Sequence, residues 1–366
     1  MSIIYNSINL LSIFLLYPLN YIFSTVIRFI PKKRHVLHIS YSVHIAYYTT
    51  RILRENKIQA DYLSVDPTNH WNKFDYFFDS SKRLFFLNEF LTLWTLLARY
   101  KIIHIHFLYT LSKTGWEIKF LKKSNIKIII HYRGNESRNL ETIKKLYDDF
   151  QCKNLDKYVL TDWQKKKRKM ESFADQILVT TRDLLDFSPN AIHMPFFSPA
   201  IKENVFNKNI NNLRIVHATN QPNVEGTEQL IQILNDLKKE GFKFDLINVR
   251  NKTYNETMKI LRKSHLSIGK MKMGDYANFQ VESMYLGIPV ITYVRKDILE
   301  RFSYLKSSGI IFTDFKSIKF EIRKILKNPK KLITISKKIK TFSNNFHNNK
   351  IISNKYDEIY TNVLLK

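Results

Sequence analysis

Short apolar runs alternate with longer amphipathic stretches from residue 35 onward. His35–Ser40 reads as a buried strand, Ala46–Glu55 as an amphipathic helix, and Gln59–Val65 as a second strand. Strand, helix, strand in that order opens a parallel α/β sheet. Residues 85–99 predict an apolar helix. Lys101–Phe107, residues 126–132 and Gln176–Thr181 predict three more strands, and Pro189–Phe197 a connector. A second unit then begins. Leu213–Ala218, Phe244–Val249 and Leu266–Gly269 predict strands, with helices over Thr227–Glu240 and Asn255–Lys263 between them. The apolar pattern lapses near residues 197–212, where Asn and Lys take over, so the units divide there. Residues 316–366 read as a basic helical tail. No short-period repeat occurs, and no Gly-x-Gly-x-x-Gly, which argues against a dinucleotide-dependent dehydrogenase.

The N-terminal stretch differs. Met1 to Ile27 holds no Asp, Glu, Lys, Arg or His, and Pro31-Lys32-Lys33-Arg34 follows. The run is long enough for a bilayer, which needs about 20 apolar residues. It lacks the basic start and small-x-small end of a secretory signal. Asn9, Ser12, Asn20 and Ser24 recur at roughly helical spacing, and Pro18 interrupts the run. A polar stripe favours a helix lying in the membrane interface over one surrounded by lipid. A spanning helix would leave the basic flank, and so the body, in the cytoplasm.

The most informative stretch is Gly274-Asp275-Tyr276-Ala277-Asn278-Phe279-Gln280-Val281-Glu282-Ser283-Met284-Tyr285-Leu286-Gly287-Ile288-Pro289-Val290. A polar loop leads into a helix with Glu282 in its first turns. Gly287 and Pro289 stop the helix and a buried strand follows. Helix N-termini hold phosphates through their dipole and free N–H groups, and a carboxylate binds ribose hydroxyls.

This stretch resembles the donor motif of GT-B glycosyltransferases, in which Glu-Ala-Met-Ala-x-Gly-x-Pro-Val follows the same loop. Other positions point the same way. His104-Ile105-His106-Phe107 is similar to the His-x-His-Phe strand end of the N-terminal GT-B domain. The loop His131-Tyr132-Arg133-Gly134-Asn135-Glu136-Ser137-Arg138 resembles His-x-x-Gly-x-Asp-x-Arg. Ala174–Thr181 resembles Ala-Asp-x-Ile-x-Val-x-Thr, and Glu225-Gly226-Thr227 the Lys-Gly-Thr turn of the donor domain. The likeness covers roughly residues 35–300. It implies two Rossmann-like domains facing across a cleft: an acceptor domain over 34–200 and a nucleotide-sugar domain over 210–320. Helices over 321–366 would cross back to the first domain, and the hydrophobic segment occupies 1–33. It also implies metal-independent, retaining transfer with no cofactor, the nucleotide sugar being a substrate.

The resemblance places Glu282, Gly226, Thr227, Gly274, Asp275, Tyr276 and Ala277 at the donor. It places Arg133, Gly134, Arg138 and His106 at the acceptor. The family's phosphate-clamping Arg and Lys positions fall on Asn220 and Glu225, a departure that Lys270 and Lys272 are expected to make good. His131 is a candidate base or acceptor contact. His104 and His106 read as facing opposite sides of their strand, one of them toward the cleft. No third ligand set follows them, so no metal site is expected.

Lys and Arg total 59 against 32 Asp and Glu, a formal net charge of +27. Such an excess calls for an anionic partner. The run Lys165-Lys166-Lys167-Arg168-Lys169 exceeds what a general lysine bias produces. No nucleic-acid recognition module accompanies the charge. An anionic membrane surface and a lipid-diphosphate acceptor fit it better. Cys152 is the only cysteine, which excludes a disulfide framework and suits a reducing compartment. These features lead to one expectation: a glycosyltransferase at the cytoplasmic face of the inner or plasma membrane, acting in surface polysaccharide synthesis. A non-catalytic scaffold of the same fold, an epimerase of the same architecture and a nucleic-acid binder are the rivals.

Overall fold

The computed structural model describes residues 18–41, 44–65, 73–78, 98–111, 115–152, 161–198, 212–272 and 274–366, with residues 92, 94, 96, 206 and 210 individually. The expected helix over 85–99 therefore lies largely outside the described residues.

Two parallel sheets form. The first holds β1 (Arg34–Ser40), β2 (Ala60–Ser64), β3 (Tyr76–Phe77), β4 (Tyr100–His106), β5 (Lys127–Tyr132), β6 (Gln176–Val179) and β7 (Ile192–His193). Their order is β3-β2-β1-β4-β5-β6-β7. The second holds β8 (Arg214–Ala218), β9 (Asp245–Val249), β10 (Leu266–Ile268), β11 (Val290–Thr292) and β12 (Ile311–Phe312), in the order β12-β11-β10-β8-β9. Every paired strand is parallel. Strands buried on both faces read as continuous apolar runs, which is how β4 and β5 stand out in the sequence.

Leu37, Ile39, Ile103, Ile105, Ile128 and Ile130 face one side of the first sheet, among Leu121, Ile126 and Met170. Val36, Ile102, Ile129 and Leu178 face the other. There the final helix, Asn349–Leu365, covers them with Ile352, Tyr356, Ile359, Tyr360 and Val363. The preceding helix, Lys331–Phe346, packs Ile339 and Phe342 into the core of the second unit instead. The chain thus returns to the first sheet between Phe346 and Asn349. His347 marks the crossing: its Nδ1 lies 2.6 Å from the Phe196 carbonyl, and its Nε2 lies 3.1 Å from the Tyr276 hydroxyl.

At the other end, residues 18–27 are helical. Asn20 and Ser24 turn inward, not toward water as their stripe suggests. Among the described residues, no helix is long and apolar enough to cross a membrane.

Candidate functional site

A cavity of about 780 Å³ lies between the two sheets, at the carboxyl ends of their strands. Open α/β folds bind ligands at this end. The first unit contributes Phe107, the loop Arg133–Glu136, Arg138 and Trp163. The second contributes Ala218–Gln221, Glu225, the loop Val249–Lys252, Tyr254, Lys270, Ala277–Phe279 and Glu282. Arg250 and Lys252 follow β9, and sequence reasoning missed them. Their signal was the basic loop directly after a strand.

Glu282 sits in the helix Asn278–Tyr285 and is 5% exposed. Its Oε1 accepts a 2.7 Å hydrogen bond from Asn278 Nδ2. Burial pushes its carboxyl up to about 8, opposed by hydrogen bonds from Tyr254 and Asn278. A carboxyl whose pKa burial raises this far, set in a cleft wall, makes Glu282 a candidate site residue. Lys270 lines the same cleft, but Lys272 is buried and does not.

Much of the loop that opens the 274–290 stretch is engaged by the first unit. Arg182 donates to Asp275 Oδ2 from its backbone N at 3.0 Å and from Nη1 at 2.8 Å, while Asp275 Oδ1 accepts from the Tyr276 N–H at 2.8 Å. Gly274 donates to the Tyr147 hydroxyl at 3.3 Å and sits at φ +86 beside the Arg138–Asp183 ion pair. Gln151 donates to the Lys272 carbonyl at 2.8 Å. Tyr276 is buried with Arg182 over its ring. Of the expected donor residues, Ala277 and Glu282 line the cleft; Gly274, Asp275 and Tyr276 do not. Gly226 and Thr227 also lie outside its wall. A Cβ on Gly226 would come within 2.5 Å of the Phe315 ring, and the Thr227 hydroxyl lies 2.9 Å from His217 Nε2. Asn220 and Glu225, the departures from the family pattern, both line it.

Of the expected acceptor residues, Arg133, Gly134 and Arg138 line the cleft, and His106 lies beneath it with His131. Two readings of the histidines are corrected. Residues two apart on a strand share a face, so His104 and His106 stack, their centroids 4.5 Å apart and their planes 7° apart. The third partner that spacing along one strand does not show is His38, paired with His104 across β1 and β4. Ring nitrogens of His38, His104 and His106 lie within 4.8 Å of one another. Two observations count against a cation there. The acceptor nitrogens of the three rings are already engaged by Arg133, His106 and Tyr360, and Arg133 is a cation acting on all three rings.

The contacts instead form one hydrogen-bonded chain. Arg133 Nη2 lies 3.0 Å from His106 Nδ1, and His106 Nε2 2.9 Å from His38 Nδ1. His38 Nε2 lies 3.3 Å from the Tyr360 hydroxyl, which lies 2.9 Å from His104 Nδ1. His104 Nε2 lies 3.3 Å from His131 Nδ1, and His131 Nε2 3.2 Å from Thr180 Oγ1. Thr180 donates to the Tyr132 carbonyl at 3.2 Å. A guanidinium only donates, so His106 Nδ1 accepts. A neutral imidazole has one donor and one acceptor, and that rule carries the direction along the chain. Each of the four rings then holds its proton on Nε2. Burial, first of all, drives the four imidazole pKa values down, His38 to about 3. The rings are neutral at physiological pH.

Neither a family model nor a curated protein sequence matches this chain. Solved structures do. Sucrose-phosphate synthase from Thermosynechococcus elongatus aligns with a TM-score of 0.61 at 13% identity, covering 91% of this chain and 100% of that one. The Anabaena protein HepE, in complex with UDP-glucose, gives 0.59 at 12% identity, covering 90% and 99%. A glycosyltransferase from Rickettsia africae gives 0.59 at 12%, covering 91% and 99%. Together with the two facing parallel sheets, these likenesses show a protein of GT-B architecture.

Proposed function

We propose that the protein is a glycosyltransferase that moves a sugar from a nucleotide-sugar donor to a glycan acceptor. The observation that carries this reading is Glu282, a buried carboxyl poised near neutrality in the wall of an interdomain cleft that also holds Arg133, Arg250, Lys252 and Lys270. In this reading Glu282 accepts hydrogen bonds from the ribose hydroxyls. Lys270, with Arg250 and Lys252, offsets the charge that develops on the leaving diphosphate, a role that fixed cations in a desolvated cleft perform well. They supply what Asn220 and Glu225 do not. Transfer is retaining and metal-independent, and the donor phosphate takes the acceptor proton. Arg133 and Arg138 face the acceptor side, where a lipid-linked diphosphate suits them. The protein works at the cytoplasmic face of the membrane in surface polysaccharide synthesis.

The solved structures lend support through their ligands and names: HepE is in complex with UDP-glucose, and two others are named as a synthase and a glycosyltransferase. Glu225 in the cleft wall favours a second reading, a scaffold that has lost transfer, because a carboxylate there repels a diphosphate. A thermal-shift series with UDP, GDP, CMP and their sugar conjugates separates the two. A ligand at 100 times its dissociation constant stabilises by about 2.7 kcal/mol. A shift with one nucleotide that Glu282→Ala abolishes supports the transferase. No shift with any nucleotide overturns it and leaves the scaffold.

A further inference from the structure

We infer that the outer face of the helix at residues 18–27, with the turn after it, is a docking surface for an anionic lipid bilayer. The inference deepens the membrane part of the reading above and is independent of the sugar chemistry.

The helix is amphipathic in the reverse sense for a water-facing element. Asn20 is 2% exposed and Ser24 0%, so these two polar residues face the protein, while Thr25 lies on the outer side. Its apolar residues face outward. Seven of the fourteen large apolar side chains exposed among the described residues fall between Leu19 and Ile30, Phe29 the most open of the seven at 79%. A contiguous apolar patch of this kind marks a contact with lipid or protein.

The inward side is fixed to the body. Ile27 enters the core of the first unit. The Ser124 hydroxyl donates to the Ser24 carbonyl at 3.1 Å, and Lys32 Nζ donates to the carbonyls of Ile27 and Ser124 at 2.9 and 3.1 Å. The face is held in place by these contacts. It cannot roll to hide its apolar side.

Charge identifies the occupant. Arg28, Lys32 and Lys33 border the patch, and the first carboxylate in the chain is Glu55. The neighbouring helix Ile118–Lys123 adds exposed Lys119, with Lys123 over the Tyr21 ring. An apolar face whose own segment, residues 18–34, carries cations and no carboxylate matches a headgroup layer of anionic lipid over an acyl boundary.

The test is sedimentation of the full chain with vesicles of phosphatidylcholine alone or mixed with phosphatidylglycerol. Wild type should pellet with the mixed vesicles. Ile22→Ser/Val26→Ser/Phe29→Ser should bind at least about tenfold more weakly. Arg28→Gln/Lys33→Gln/Lys119→Gln should lose about fivefold for each charge removed. All six side chains are exposed, so thermal melts should match wild type. If wild type ignores both vesicles, the membrane reading itself fails. If wild type binds and the apolar variant binds equally, this face is overturned while the membrane reading stands on another segment. Equal binding to both vesicle types overturns the anionic preference. A wild-type dimer that the apolar variant converts to monomer, without vesicle binding, overturns the inference in favour of a second copy.

Discussion

Arg182 and Asp275 meet across the boundary between the two sheets, 2.8 Å apart, with side chains 2% and 0% exposed. One follows β6 of the first unit and the other precedes the helix of Glu282. Nearby, Arg295 of the second unit reaches Asp186 of the first at 2.6 Å. These pairs hold the loop at 274–276 against the first unit, and with the Tyr276 N–H they engage both carboxylate oxygens of Asp275. Removing one member of a buried pair strands the other charge. Asp275→Asn should therefore destabilise by about 3–5 kcal/mol in denaturant unfolding, while Arg182→Met/Asp275→Leu should be close to neutral. A single variant as stable as wild type would show that the pair is not closed in solution.

Glu282 makes stability fall with rising pH. Its ordinary value is 4.5 and burial raises it to about 8. Between those values the folded protein keeps a proton that the unfolded chain has released, so unfolding gains on folding as pH rises and levels off above the window. Glu282→Gln should flatten that slope in denaturant titrations run across the same range. A ribose diol bound to Glu282 favours the carboxylate, so nucleotide binding near neutral pH should release a proton. Calorimetry in buffers of different ionisation enthalpy reads that proton directly, and Glu282→Gln should abolish it.

The histidine chain predicts a spectrum. Ring ¹⁵N shifts of His38, His104, His106 and His131 should report four neutral Nε2–H tautomers, unchanged between about pH 5 and pH 8. His106→Leu breaks the chain at its first link and takes one hydrogen-bond partner each from Arg133 Nη2 and His38 Nδ1. The loss should be about 1–3 kcal/mol of stability for each buried group left unpaired. Stoichiometric zinc that shifts the rings of His38, His104 and His106 together would instead make the cluster a metal site.

The contrast between what could and could not be read in advance has a physical cause. β4 and β5 were visible within a residue of their observed ends, because a strand buried on both faces carries a dense run of apolar residues, here the isoleucines. Gly241 and Gly287 stop helices through local backbone chemistry, and both take positive φ. The carboxylate in the cleft wall was visible through its motif. Residues that depend on distant partners were not. His38 joins His104 through strand pairing, Arg182 joins Asp275 across 93 positions, and neither leaves a local trace. Asn20 and Ser24 showed a stripe, but a stripe has no sign: period alone does not say which side faces the body. Arg250 and Lys252 stand on the loop that follows β9, and their place in the cavity wall depends on how the two units face each other.

The histidine chain has an electrical consequence. Each link donates along the chain away from Arg133, so the ring nearest the guanidinium turns its negative end toward it. Among the described residues no carboxylate forms an ion pair with Arg133. A counter-ion would have to be displaced before an incoming anion could use that charge. A string of neutral dipoles steadies the cation in the cleft wall without cancelling its charge.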